Sequence, residues 1–131
     1  MKKLLFIIVA VMAFVNSKAQ IVDPVKWTTK IEKKSQNNYV LIFNGIIEKE
    51  WHMYSQYTAD GGALPLEISF KNKEGNYELV GKAKESKTQT VFNDVFGVNE
   101  TYFEKNAKIT QEIQVVNSKL SKVEVVLNYQ V

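Results

Sequence analysis

The stretch YVLIFNGIIEKEWHMYSQ (residues 39–56) consists of an apolar segment followed by a predicted loop rich in aromatic residues. From Tyr39 to Ile47 the apolar content is nearly continuous, which is typical of a central strand covered on both faces. Asn44 and Gly45 interrupt it, and an Asn-Gly pair between apolar runs is a strong hairpin signal. A hairpin here, however, would leave two very short strands. Two interpretations therefore stay open, a continuous strand with a bulge and a true hairpin.

On both sides of this stretch, apolar and polar residues alternate as they do in strands with one solvated face. The alternating segments are residues 25–32, 66–71, 107–115 and 123–131, and residues 77–84 are predicted to form a further short strand. The aromatic residues between Val91 and Phe103 follow no regular period, so we predict a loop and a short edge strand there, with the aromatics buried. About seven short strands without an amphipathic helix predict an all-β fold, an antiparallel β-sandwich.

The N-terminus has the pattern of a secretory signal peptide. Two lysines precede an apolar run over residues 4–15, and Ser17 and Ala19 are the small residues before a cleavage site. The run is shorter than the roughly 20 residues needed to span a bilayer, and an uncleaved anchor is the alternative interpretation. We therefore predict an exported protein with a signal peptide over residues 1–19 and a single domain over residues 20–131.

Composition narrows the functions available to the predicted mature domain. Removing 19 residues from 131 leaves 112, enough for one domain. Three of the 17 basic residues lie in the signal peptide, so 14 lysines balance 14 acidic residues, and neither nucleic acid nor membrane is expected as a partner. The sequence has no cysteine and one histidine. Disulfides, thiol chemistry and an ordinary zinc site are therefore excluded, and no cofactor or metal is expected.

The last alternating segment, residues 123–131, runs to the final residue without a turn after it. We therefore expect one or more C-terminal strands to be missing, and the apolar face and backbone edge of this segment to lack cover. On that basis, residues 20–131 alone should be marginally stable or self-associating.

A series of short motifs occurs in an order that resembles the N-terminal periplasmic domain of DsbD-type thiol:disulfide interchange proteins. The motifs are IVDPVKW (21–27), EWHMYSQ (50–56), GALPLEISF (62–70), YELVGKAKE (77–85), VFG (95–97), YFE (102–104), TQ (110–111) and YQ (129–130). The resemblance covers essentially the whole mature chain. It implies an immunoglobulin-like antiparallel β-sandwich located in the periplasm.

In that family, the domain takes electrons from a thioredoxin-like domain of the same transmembrane reductase and passes them to periplasmic disulfide isomerases and cytochrome maturation proteins. A cysteine pair directly after a YQ-like strand end does this work. Here Val131 follows Gln130 and no cysteine is present, so no turnover is expected from this chain alone. The resemblance therefore implies a domain that docks thioredoxin-like proteins or disulfide isomerases.

Six residues are candidates for binding such a partner, and plain packing is the alternative for each of them. They are Trp51, His52, Tyr54, Phe92, Phe96 and Tyr129. By the resemblance, Phe92 and Phe96 stand where family members carry a mobile loop that shields the cysteines. His52 has the chemistry to tune a neighbouring thiol or to act as a base.

A different class of function is the alternative hypothesis. Trp51, Tyr54 and Tyr57 supply aromatic rings close together in the sequence. Such rings can form a stacking platform for a sugar or a peptide. The protein would then be a secreted β-sandwich that binds glycan or peptide.

Overall fold

The part of the chain that the structure describes contains ten β-strands joined by loops and turns. The computed structural model describes the backbone of residues 8–15 and all of residues 23–131. The strands are β1 (Ile8–Val15), β2 (Val25–Lys33), β3 (Asn38–Ile47), β4 (Met53–Tyr54), β5 (Glu67–Phe70), β6 (Tyr77–Glu85), β7 (Gln89–Asn93), β8 (Val98–Phe103), β9 (Asn106–Val115) and β10 (Lys122–Tyr129). Within these two ranges, no helix is long and apolar enough to cross a membrane.

The strands form three sheets. One has four strands in the order β2-β3-β9-β6, the second has the order β1-β10-β5, and the third, smaller one has the order β4-β8-β7. Neighbours among β2 to β10 pair antiparallel, whereas β1 pairs parallel with β10. The predicted all-β class and antiparallel β-sandwich are therefore confirmed. The immunoglobulin-like subtype stays a prediction.

One hydrophobic core lies between the sheets. Alternation decides which side chains enter it, because Val123, Val125 and Leu127 of β10 are buried while Lys122 and Glu124 between them are exposed. The other strands contribute further buried side chains: Val25, Leu41, Phe43, Met53, Tyr77, Phe103, Ile109 and Ile113. Burying one such side chain contributes about 1.5–3 kcal/mol, so this shared core determines how the sheets pack.

The central strand β3 is continuous through Asn44 and Gly45, which excludes the hairpin interpretation. It pairs with β2 on one edge and with β9 on the other without a shift in register, so no bulge forms. Gly45 lies opposite Trp27, and a Cβ atom on Gly45 would come within 3.2 Å of the Trp27 ring and 3.1 Å of Val25. Close packing, and not a turn, therefore requires glycine at this position.

The stretch from Val91 to Phe103 is more regular than predicted. β7 and β8 form a hairpin with a turn at residues 94–97, and β8 also pairs with the two-residue strand β4. No side chain of β7 is fully buried, so this strand lacks the alternation by which strands are recognised in a sequence. The expected burial of Phe92 and Phe96 was wrong, since they are 57% and 56% exposed.

Strand β10 is paired along both of its backbone edges. β1 covers one edge over Lys122–Tyr129, and β5 covers the other over residues 125–128. The expectation of an uncovered apolar face was wrong, because the alternating apolar side chains of β10 are buried. The strand β1 falls inside the predicted signal peptide. The cleavage site predicted after Ala19 lies outside the described residues.

Substituting Gly45→Val should destabilise the sandwich. The added side chain has no space between Trp27 and Val25, and overpacking of this kind costs about 1–3 kcal/mol. In urea unfolding followed by tryptophan fluorescence, the midpoint should fall while the slope stays unchanged. Ile46→Thr is the matched control, because Ile46 is the next residue of β3 and is 62% exposed. Equal stability of the two variants would contradict the close packing.

Removing residues 1–19 should make the protein self-associate. Without β1, the eight residues of β10 lose their pairing on one edge, and an unpaired edge is a template for strand addition by another chain. Size-exclusion chromatography with light scattering should show dimers or larger species that grow with concentration. Val126→Lys in the same shortened chain should reduce this association, because a charge on an edge strand opposes pairing. A monodisperse monomer of the shortened chain would show the prediction to be wrong.

Candidate functional site

The candidate site begins at the loop that follows β4. Ser55 is fully buried there, and its hydroxyl donates to a carboxylate oxygen of Glu85 on β6. The same hydroxyl oxygen accepts the backbone N–H of Tyr57 at 2.9 Å. The backbone N–H of Ser55 donates to the carbonyl oxygen of Thr101 on β8 at 3.0 Å. Ser55 therefore fastens the start of the loop to both the four-stranded sheet and the hairpin.

Aromatic rings come together at the base of the hairpin, where β4 pairs with β8. The His52 ring stacks on Tyr102 with the centroids 4.1 Å apart, and Tyr54 meets Tyr102 edge-on at 6.3 Å. His52 Nε2 lies 3.2 Å from Glu104 Oε1. Burial, together with the neighbouring Glu100 and Tyr102, raises the pKa of Tyr54 above its usual range.

The tip of the hairpin presents apolar side chains to solvent. The exposed fractions are 50% for Val91, 57% for Phe92, 86% for Val95 and 56% for Phe96. Asn93 holds the turn, because its Oδ1 accepts the N–H groups of Val95 at 2.9 Å and Phe96 at 3.2 Å. Gly97 closes the turn with a φ of 69°, in the left-handed region that favours glycine. Local hydrogen bonds therefore fix a turn whose apolar side chains are not used in the core.

One carboxylate connects this tip to the neighbouring loop. Glu100 on β8 is 7% exposed, and its Oε2 accepts the N–H of Ala63 at 3.0 Å while its Oε1 accepts from Asn93 Nδ2 at 2.6 Å. The next residue of the loop, Leu64, is 63% exposed, and its N–H donates to the side-chain oxygen of Gln130 at 2.7 Å. The loop, the hairpin and the end of β10 therefore meet at one end of the sandwich.

The structure separates the predicted partner-binding residues of the loop from those of the hairpin. Phe92 and Phe96 lie at the exposed tip, whereas His52 and Tyr54 pack around Tyr102 at the base. Base and tip are four residue steps apart along β8, or roughly 13 Å. Trp51, which precedes His52, is 37% exposed. The tip is the more accessible of the two surfaces.

Tyr129 lies in the core and not at the surface. Its side chain is 3% exposed, and its ring meets Trp27 edge-on with the centroids 5.6 Å apart. Burial raises the pKa of the Tyr129 hydroxyl above its usual range. The alternation of β10 points Tyr129 inward and leaves the outward position to Gln130. A partner can therefore touch Gln130 directly but not the Tyr129 ring.

The aromatic platform of the alternative hypothesis is not assembled. Tyr54 packs on Tyr102, and the Tyr57 hydroxyl donates to the carbonyl oxygen of Ala83 on β6 at 2.6 Å. Among the residues that the structure describes, no ring pair joins Trp51, Tyr54 and Tyr57. These three rings therefore do not form one continuous platform for a glycan or a peptide.

The site offers exposed apolar surface and hydrogen-bonding groups. Within residues 8–15 and 23–131, no group of three or more His, Cys, Asp and Glu side chains could hold a metal ion. The single imidazole, that of His52, contacts a carboxylate and a phenol ring. What the arrangement can do is to present apolar side chains on a fixed turn.

No protein-family model, curated protein or solved structure matches this chain. The resemblance to the DsbD-type domain therefore stays a prediction. The fold class is shown by the strand pairing, whereas function has to be inferred from the geometry of the site together with that resemblance.

Sequence reasoning assigned no role to Glu100 or Leu64. The partners of Glu100 are Asn93, seven residues away, and Ala63, 37 residues away. Only the fold brings the second of these close. The spacing of Asn93 and Gly97 was the one available signal, since both residue types are typical of tight turns.

Ser55→Ala should lower the stability of the protein by about 1–3 kcal/mol, because the Glu85 carboxylate and the Tyr57 N–H lose a buried partner. Thermal unfolding measured by circular dichroism is the check. Ser35→Ala is the matched control, since Ser35 is exposed in the turn before β3. A Ser55→Ala variant as stable as this control would show that the hydroxyl does not fasten the loop.

Proposed function

We propose that this chain is a docking domain of the DsbD N-terminal type, which binds a thioredoxin-like partner in the periplasm through the tip of the β7–β8 hairpin. The observation that carries the proposal is the exposure of Phe92, Val95 and Phe96 on a turn with defined hydrogen bonds. The domain acts by binding. It performs no thiol exchange itself, because the chain has no cysteine.

The energetics of exposure support a binding role for the tip. Large apolar side chains grouped at a surface are characteristic of sites that bind a partner. Val95 is 86% exposed, and burying an exposed aliphatic side chain of this kind contributes about 1.5–3 kcal/mol. The turn is held by Asn93 before any partner arrives, so little conformational entropy is lost on binding.

The resemblance supports a redox partner in particular. The VFG motif of the resemblance, residues 95–97, is part of the exposed turn. The YQ motif ends at Gln130, whose backbone oxygen accepts the N–H of Tyr54 at 3.2 Å and whose side chain accepts the N–H of Leu64. In the family, chemistry follows a YQ-like strand end. The tip and this strand end both connect to the loop after β4, so a partner docked at the tip would lie near that position.

The double substitution Phe92→Ser and Phe96→Ser should weaken binding of the thioredoxin-like domain of a DsbD-type reductase by about ten-fold or more, because aromatic anchors dominate interface energies. Isothermal titration calorimetry on the full chain measures the affinity. Two-dimensional NMR of the isotope-labelled chain should show the largest shifts at residues 91–98.

Val116→Ser is the matched control for this experiment. Val116 is 54% exposed, but it follows β9 at the opposite end of the sandwich, where its N–H donates to Asn76. Unchanged affinity for the control and lost affinity for the double variant support the proposal. The proposal is wrong if the unmodified chain does not bind the thioredoxin-like domain, or if the shifts fall on the loop aromatics alone.

A further inference from the structure

We infer that Glu100 joins two exposed apolar segments into one docking surface, holding the hairpin turn with one carboxylate oxygen and the Leu64 loop with the other. The inference rests on the proposed docking function and extends it. It adds Leu64 to the surface that a thioredoxin-like partner would contact, and it makes Glu100 a positioning residue that acts through its neighbours.

On the side of the turn, Glu100 determines which way the Asn93 amide points. A carboxylate only accepts hydrogen bonds, so the group that faces Oε1 at 2.6 Å must be the Asn93 NH₂. The amide oxygen of Asn93 then faces the turn, where it accepts the N–H groups of Val95 and Phe96. A chain of three hydrogen bonds therefore runs from the buried carboxylate to the backbone of the exposed apolar residues.

On the side of the loop, Glu100 holds the backbone one residue before Leu64. Its Oε2 accepts the Ala63 N–H at 3.0 Å. The loop passes so close to the hairpin that a Cβ atom on Gly62 would lie 3.0 Å from the Val98 side chain and 3.1 Å from Glu100 Oε2. The backbone that carries the exposed Leu64 side chain therefore lies close to the hairpin that carries the exposed turn.

The burial of Glu100 shows that this arrangement has a cost. Its side chain is 7% exposed, and among the described residues no lysine forms a salt bridge with it. A buried carboxylate is strongly unfavourable unless hydrogen bonds compensate, and bonds from N–H donors to an ionised oxygen are the strong ones. Glu100 lies opposite Val91, and backbone pairing at this position does not require an acidic side chain. The two segments that the carboxylate holds therefore account for an acidic residue here.

A charge-swap cycle tests this role in the full chain. In Glu100→Gln, one of the two acceptor oxygens becomes an NH₂ group, so either the hydrogen bond from Ala63 is lost or the NH₂ of Asn93 has no acceptor. In the second case, Asn93 can accept from the new NH₂ only by turning its oxygen away from Val95 and Phe96. In Asn93→Asp, two carboxylates face each other and repel. In the double variant, one oxygen of the new aspartate accepts from the NH₂ of the new glutamine and the other serves the turn, so every hydrogen bond of the turn is restored.

The first measurement is amide hydrogen exchange followed by NMR, which needs no partner. In Asn93→Asp the amides of Val95 and Phe96 should exchange about ten-fold faster, and in Glu100→Gln either these two amides or the amide of Ala63 should do so, as expected for one lost hydrogen bond. In the double variant their exchange should return to within about three-fold of the original rate. The affinity for the thioredoxin-like domain should follow the same pattern, falling in both single variants and recovering in the double variant.

Glu112→Gln is the matched control, because the Glu112 carboxylate, like that of Glu100, accepts two hydrogen bonds, here from Lys34 at 2.6 Å and Asn38 at 2.8 Å, at the opposite end of the sandwich. These bonds hold the pKa of Glu112 below its usual range. The control should leave the exchange of the Val95 amide and the affinity for the partner unchanged. This control distinguishes the general effect of losing a hydrogen-bonded carboxylate from the specific effect of losing the Glu100 carboxylate, which faces the turn.

The outcomes separate this inference from the proposed function. Unchanged exchange in Glu100→Gln, or no recovery in the double variant, overturns the positioning role whatever the partner does. If exchange follows the cycle but the unmodified chain does not bind the thioredoxin-like domain, the proposed function fails and Glu100 is shown to order the surface only. If exchange follows the cycle and affinity does not, Glu100 orders a surface that docking does not use, and the inference is wrong.

Discussion

Strand β3 has a hydrogen-bonded partner on each edge and the facing sheet over its inward side, so its inward side chains, such as Leu41 and Phe43, have little access to water. The register on both edges is unbroken, from Val25 opposite Ile47 to Asn38 opposite Gln114. Because a shift of one residue would turn every inward side chain outward, this double pairing fixes the faces of β2 and β9 as well. The absence of a side chain at Gly45 lets the Trp27 ring lie across the strand.

The sequence was informative where burial is one-sided. β9 and β10 alternate residue by residue, from Ala107 to Val115 and from Val123 to Tyr129, and both strands and their inward faces could be predicted. β7 could not, because a strand exposed on both faces shows no period. The same limit applies to Glu100, since nothing local distinguishes a buried acid from an exposed one when its second partner lies in a distant loop.

The hairpin and the core are stabilised by different forces. Core strands are held by apolar burial, whereas the hairpin turn is held by hydrogen bonds among Asn93, Glu100 and backbone N–H groups. Because hydrogen bonds hold the turn, its aromatic side chains are not needed to stabilise the fold. This division also explains why Tyr129, on a core strand, cannot serve the same surface as Phe96, although both are aromatic residues of the predicted site.

The pairing of β3 with β9 has a consequence for how the chain is made. Residue 43 pairs with residue 109, and β10 supplies the facing layer later still, so the core cannot close until most of the polypeptide has been synthesised. Non-local pairing of this kind makes folding slow, because loop closure precedes any gain from contacts. A nascent chain that stays unfolded until its last strands have been synthesised can still pass through a translocation channel. The proposed export requires such an unfolded chain.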